Sequence, residues 1–340
     1  MTQVFLDTID ISDFVTTVPA LTLNIGEIGQ LITNDLPTLE GLNISGFWDP
    51  RNPVSPFFGV PDLSVFPIVV KQDDVIVFTG AIQRITADNQ ARTASVSIRS
   101  VLQTALEHGV IYVSDSATET PASAASAIAS LYKIPVDSAS FGVSEGIYQL
   151  NKVYVNVLLN RPEMTALDVF QALADIGVAS IYSFAGVLYF DVFQVKTSAS
   201  IFTFTDDPSG LDGATLWTNP TIEPVEREKI NGYSIQTMQG LASYGDTSQQ
   251  AKTLDGGPES SVRIMSLQAG NWIGLRWIEY LNQSQERISF GGPAQIGRAL
   301  PLGAPVAINY TRANWPTTVV DLVSVDNTDR LMSQLIGLTR

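Results

Sequence analysis

Histidine, cysteine and carboxylate side chains are where this sequence could do chemistry, and it arranges them sparsely. Its 340 residues contain one histidine, His108, and no cysteine. That count excludes thiolate zinc sites, a cysteine nucleophile, a disulfide framework, cysteine-ligated iron–sulfur clusters and any metal site needing two imidazoles. A Ser–His–Asp triad survives the count, but no Gly-x-Ser-x-Gly elbow presents a serine. His108, between Glu107 and Gly109, reads as a surface or boundary residue. Asp73-Asp74 falls in a hairpin-turn sequence, where Asp bonds its own backbone. Asp206, Asp207 and Asp212 could offer carboxylates to calcium, although their spacing is not that of an EF-hand loop. Glu223, Glu226 and Glu228 lie near a strand start, and alternation puts Glu226 and Glu228 on one solvated face. No Walker lysine loop or Gly-x-Gly-x-x-Gly turn is present for phosphate. The residues therefore assign no catalytic, metal or cofactor site. A facing pair of carboxylates for glycoside hydrolysis is the chemistry left open.

Charge narrows the choice of partner. With 34 acidic and 19 basic side chains the formal charge is −15, and the cations are scattered, so a gripped nucleic acid is disfavoured. Charged residues make up only 16% of the chain against 45% hydrophobic. Ser, Thr, Asn and Gln cover the surface instead, as in many all-β proteins and in subunits that pack against neighbours. No run approaches the roughly 18 apolar residues of a membrane helix, and the opening residues do not form a signal peptide, so synthesis in the cytoplasm and no membrane insertion are expected.

The elements that must position these residues are mostly strands. Up to about residue 105, short β-prone runs alternate with turns: Ala20–Ile25, Leu42–Ser45, Phe66–Val70, Val75–Thr86 with a bulge suggested at Gly80, and the period-2 run Ala94–Val101. One segment interrupts them. Gly46 to Gly59 holds three prolines and four aromatics, so it is a loop whose rings must bury on the barrel or in a neighbouring subunit; Trp48, Phe57 and Phe58 are the candidate subunit-interface residues. Residues 120–132 read as a helix with Thr120 as N-cap and Pro121 at N1. A second helix starts at Thr165, with Asp168 completing a capping box and Gly177 placed just past its end. A hairpin follows, 178–184 and 187–193 around Ala185-Gly186. Further on, Gly240–Ser260 reads as a mobile loop. Ile273, Trp277, Tyr280 and Leu281 mark an amphipathic helix over 272–286, and a Gly291-Gly-Pro293 break separates the closing strands. Trp48, Trp217, Trp272 and Trp315 are the aromatics available for a sugar platform, although a helix face for Trp272 and a strand start for Trp315 favour packing.

The fold class expected from this pattern is mainly β with α+β insertions, two small β-barrels joined by helix-plus-hairpin units. The expected division is 1–105, a first barrel; 106–198, an α+β domain; 199–240, strands entering a second barrel; 241–286, a loop and amphipathic helix; and 287–340, the rest of the second barrel.

Val4–Asp10, Pro56–Gly59 leading to Pro67–Val70, Val75–Ile82 with its Phe-Thr-Gly-x-Ile phrase, and Ala94–Leu102 resemble the first barrel of tailed-phage tail-tip and baseplate hub proteins. Arg227–Ile235, the 272–286 helix, Arg287–Phe290, Leu302–Tyr310 and Val319–Val325 are similar to that family's second barrel. The resemblance implies a non-enzymatic virion protein, a homotrimeric hub at the distal end of the tail that adapts a sixfold tube to a threefold tip. Its implied partners are the tail tube, distal tail and other tip proteins or fibres, with DNA as cargo passing through without being held. Lack of cysteine departs from hubs whose tip bears an iron–sulfur cluster, and no cofactor is expected. The alternatives are a carbohydrate- or receptor-binding β protein and a β-rich glycoside hydrolase.

Overall fold

The computed structural model describes residues 2–18, 22–33, 38–100, 112–114, 118–159, 165–194, 199–207, 214–245, 250–313, 315–326 and 332–339. The chain is mainly β, as its alternating runs predict. Two large sheets come from its two ends. The first orders its seven strands 9–10, 2–6, 67–72, 75–88, 93–100, 38–42 and 15–17, all antiparallel. The second contains 214–215, 202–205, 305–309, 318–326, 332–339, 286–293 and 221–224, with 22–24 paired alongside 318–326. Among the described residues both are open, the first with two edge strands and the second with three, 214–215, 221–224 and 22–24. Alternation sets the buried face: in 93–100, Ala94, Val96, Ile98 and Ser100 point inward.

These two sheets share one hydrophobic cluster. It runs from Val4, Leu39 and Ile98 to Phe204, Phe290, Val320 and Leu335, so the chain ends close a single β core. A second core forms from the middle of the chain. It joins helices α1 (Pro121–Leu131), α2 (Ser138–Asn151) and α3 (Ala166–Gly177), the hairpin 179–184/187–192, and α4 (Leu267–Asn282) lying on the small sheet 232–237/240–244/251–255. A short helix α5 (Ala294–Ala299) sits against strands 286–293 and 332–339.

Residues 22–33 strap the cores together. Strand 22–24 extends the C-terminal sheet, while 31–32 pairs in parallel with 179–184. Between them, Ile25 N–H donates to Val323 O (3.0 Å), Gly29 N–H to Ala179 O (2.7 Å) and Ile28 N–H to Tyr280 Oη (3.3 Å). The segment sits in sequence within the first barrel, yet its ladder bonds go to strands more than a hundred residues away.

Capping chemistry places the helices. Thr120 and Thr165 both form complete capping boxes, with Ser123 and Asp168 respectively. Helix α3 includes Gly177 rather than ending before it. The Tyr148 hydroxyl donates to Gly177 O at 2.7 Å, and Val178 takes the left-handed conformation (φ 51°) in its place. Helix α4 begins five residues earlier than its apolar stripe suggests, because Ser266 accepts from Ala269 N–H at 3.1 Å, and it ends at Asn282 rather than near 286. Helix α2 was not anticipated; its Ser- and Gly-rich sequence has weak periodicity, but Asp137 caps it.

The stretch 240–260 is not a loop throughout. It contains strands 240–244 and 251–255, held on either side of 232–237. Nor does Gly291-Gly292-Pro293 break a strand: 286–293 runs through it, and Gly292 leaves room for the Phe204 ring, which a Cβ would meet at 2.6 Å. The bulges in 75–88 fall at Val77 and Gln83, on either side of Gly80.

Candidate subunit-interface loop

Proline spacing explains the aromatic loop. Asp49-Pro50, Asn52-Pro53 and Ser55-Pro56 recur every third residue, and each pair opens a β-turn with proline in its second position. The turns close by Asn52 N–H to Asp49 O (2.9 Å), Ser55 N–H to Asn52 O (2.9 Å) and Phe58 N–H to Ser55 O (3.1 Å). Each leading side chain also accepts from the backbone two residues on: Asp49 from Arg51 (3.0 Å), Asn52 from Val54 (3.2 Å) and Ser55 from Phe57 (3.3 Å). The segment is thus a chain of linked turns with few unsatisfied groups, although it belongs to no ladder.

Aromatic packing anchors it to the first sheet. Trp48 stacks on Phe57 with ring centroids 5.4 Å apart, Phe47 stacks on Phe14 at 4.0 Å, and Phe57 meets Phe66 edge-on at 5.0 Å. The indole N–H of Trp48 donates to Phe14 O at 2.9 Å. A partly buried polar chain fixes the other side: Asn43 donates to Asn89, which donates to the Asp49 carboxylate, at 2.6 and 2.5 Å. The Arg51 guanidinium, then Asn89, then the Arg51 backbone N–H lower the Asp49 pKa to about 2.

Of the three candidate interface residues, Trp48 and Phe57 are fully buried within the chain and leave no surface for a neighbour, because stacking on each other completes the local core. Phe58 stands apart from them at 51% exposed, with Val54 at 78%. The linked turns push Val54 and Phe58 outward while their neighbours turn in. The period-3 Asx-Pro and Ser-Pro repeat was the sequence signal for this.

The residues considered for chemistry do not converge. Asp73 and Asp74 both adopt positive φ in a two-residue hairpin turn, and Asp73 accepts from Arg298 on α5, a buried cation, so this turn pins the first sheet to the second. Asp206 accepts from Thr311 N–H (2.8 Å), Thr311 Oγ1 (2.8 Å) and Arg312 N–H (2.9 Å). Burial raises its pKa, but those backbone N–H donors outweigh burial and hold it below the ordinary value. It therefore orders the 311–313 turn. Asp212, Pro208-Ser-Gly210, and Glu107, His108 and Gly109 lie outside the described residues. Among the described residues no three His, Asp or Glu side chains group as metal ligands. Glu223, Glu226 and Glu228 are exposed. Trp272 packs edge-on against Tyr148 (5.9 Å) and Trp315 against Tyr310 (5.5 Å), leaving Trp217 as the exposed member of the four tryptophans considered.

No protein-family model matches the chain, and no curated protein matches it. Two solved structures share its fold from end to end. The tail protein from Neisseria meningitidis MC58 is 14% identical, with a TM-score of 0.54 over 99% of this chain and 96% of that one. The 43 kDa tail protein of prophage MuSo2 from Shewanella oneidensis is 12% identical, with a TM-score of 0.57 over 100% and 98%.

Proposed function

We propose that this chain is a structural protein of a phage tail, a homotrimeric hub at the distal end that adapts a sixfold tail tube to a threefold tip. The observation that carries the reading is the end-to-end match of fold, over 99% and 100% of the chain, to a tail protein from Neisseria meningitidis and a prophage tail protein from Shewanella oneidensis. The mechanism is geometric. Two open sheets sharing a core are half-barrels whose free edges and exposed loops can be completed by neighbours, and three copies close a ring. The two large sheets, within 2–100 and within 202–224 and 286–339, supply the ring in this reading, and the helices and small sheets within 121–192 and 232–282 the outer units. The ring surrounds a channel for DNA ejection. An excess of 15 negative charges suits a wall past which phosphates slide, provided the charge faces the bore. The tail tube and distal tail, tip or fibre proteins are the partners, with no catalysis by this chain.

Phe58 and Val54 are the proposed contact residues of the aromatic loop, being exposed apolar side chains on a rigid support. Native mass spectrometry of the purified chain tests this. A species of three copies or a multiple of three, lost in Phe58→Asp while the melting temperature holds, is the expected result. A monomer at every concentration, with or without glycan affinity, overturns the ring.

A further inference from the structure

We propose that strand Gly240–Tyr244 is a homotypic docking edge, where the same strand of a second copy of this chain adds antiparallel to the small sheet. The strand lies at the edge of the order 240–244, 232–237, 251–255, and among the described residues its outer side has no partner strand. Proteins guard such edges with charge, proline or brevity. The other exposed edges follow that rule: 221–224 carries Glu223 and Pro224, 251–255 carries Lys252 and Asp255, and 9–10, 15–17 and 214–215 are two or three residues long. Strand 240–244 alone among these is five residues long with no charge and no proline. It also shows Leu241 at 57% and Tyr244 at 60% exposed, with Met238 at 39% beside them.

Its own sequence identifies the occupant. A twofold axis through Ala242 sets Leu241 against Ser243 of the second copy and Gly240 against Tyr244, so a large side chain meets a small one at each step. Alanine faces alanine at the centre. Charge agrees: a molecule of net charge −15 repels its copies, but Met238–Gly245 contains no acidic or basic residue, so two copies meet here without opposing like charges. Ala242 is buried beneath α4, which holds the strand rigid and keeps the face opposite Leu241 closed.

This contact is separate from the proposed ring. A ring without it is a trimer, the contact without the ring is a dimer, and both together give a hexamer, so sedimentation velocity of the full chain separates the two failures. The wild type is expected to show an even-numbered species. Leu241→Lys and Ser243→Lys, both at exposed positions and leaving the melting temperature unchanged, should weaken it by roughly tenfold or more. Because the chain has no cysteine, the double variant Leu241→Cys, Ser243→Cys should oxidise to a covalent dimer of twice 36.7 kDa. An even-numbered species indifferent to both lysines, or no even-numbered species together with no covalent dimer, overturns the proposal.

Discussion

The β core and the α+β core are built on opposite plans. In the β core, partners are distant in sequence: Leu23 packs within the same cluster as Leu335, and strand 22–24 finds its ladder at 324–326. In the α+β core most packing is assembled from consecutive pieces between Ala122 and Tyr280, each helix fixed by its own cap. The first plan closes its core only when both ends of the chain are present. The second makes units that form locally and then dock. A core closed by non-local packing suits the wall of the proposed ring.

Phe290→Ala should break this comparison if it is wrong. The ring is fully buried, 5.0 Å from Phe204, and its removal is expected to cost about 3–5 kcal/mol. Because the two sheets share one core, hydrogen exchange should accelerate in 93–100 of the other sheet as well as in 286–293. Unchanged protection in 93–100 would mean two independent barrels. Gly274→Ala sharpens the other side. A Cβ there meets the Tyr233 ring at 2.2 Å, an overpacking expected to cost about 1–3 kcal/mol. Exchange should rise in 232–237 while 93–100 stays protected; equal loosening of both would merge the cores.

Legibility in the sequence followed the same divide. The caps at Thr120 and Thr165 and the Ala185-Gly186 turn are local, and each was readable because the residues that decide it are neighbours. The strap 22–33 was not, since nothing in Leu23 or Leu31 names a strand near 320 or 180 as its partner. Glycines misled in both regions: Gly177 and Gly291-Gly292 resemble stops, but they make space for Tyr148 and Phe204, which only tertiary packing reveals. At the candidate interface the loop is broken by its prolines into linked turns, as its sequence predicts. Its aromatics divided because stacking satisfies Trp48 and Phe57 and leaves Phe58 outside.

A smaller, pH-dependent effect tests the loop itself. The Asp49 carboxylate titrates near 2 in the fold against about 3.9 unfolded, so its stabilisation is complete above about pH 4 and disappears as pH falls through about 2. Near-UV circular dichroism of the Trp48–Phe57 stack should weaken over that window. Asp49→Asn should remove the acid dependence; an identical acid transition in the variant would assign it to another carboxylate.

A hub protein is defined by where it sits in the particle. A cryo-electron microscopy reconstruction of tails containing it tests that most directly. Three copies in a ring on the tail axis at the distal end, with the sheet of 2–100 and the sheet of 202–224 and 286–339 facing the bore, are the expected result. Six copies along the tube, or copies displayed off the axis away from any channel, would contradict it.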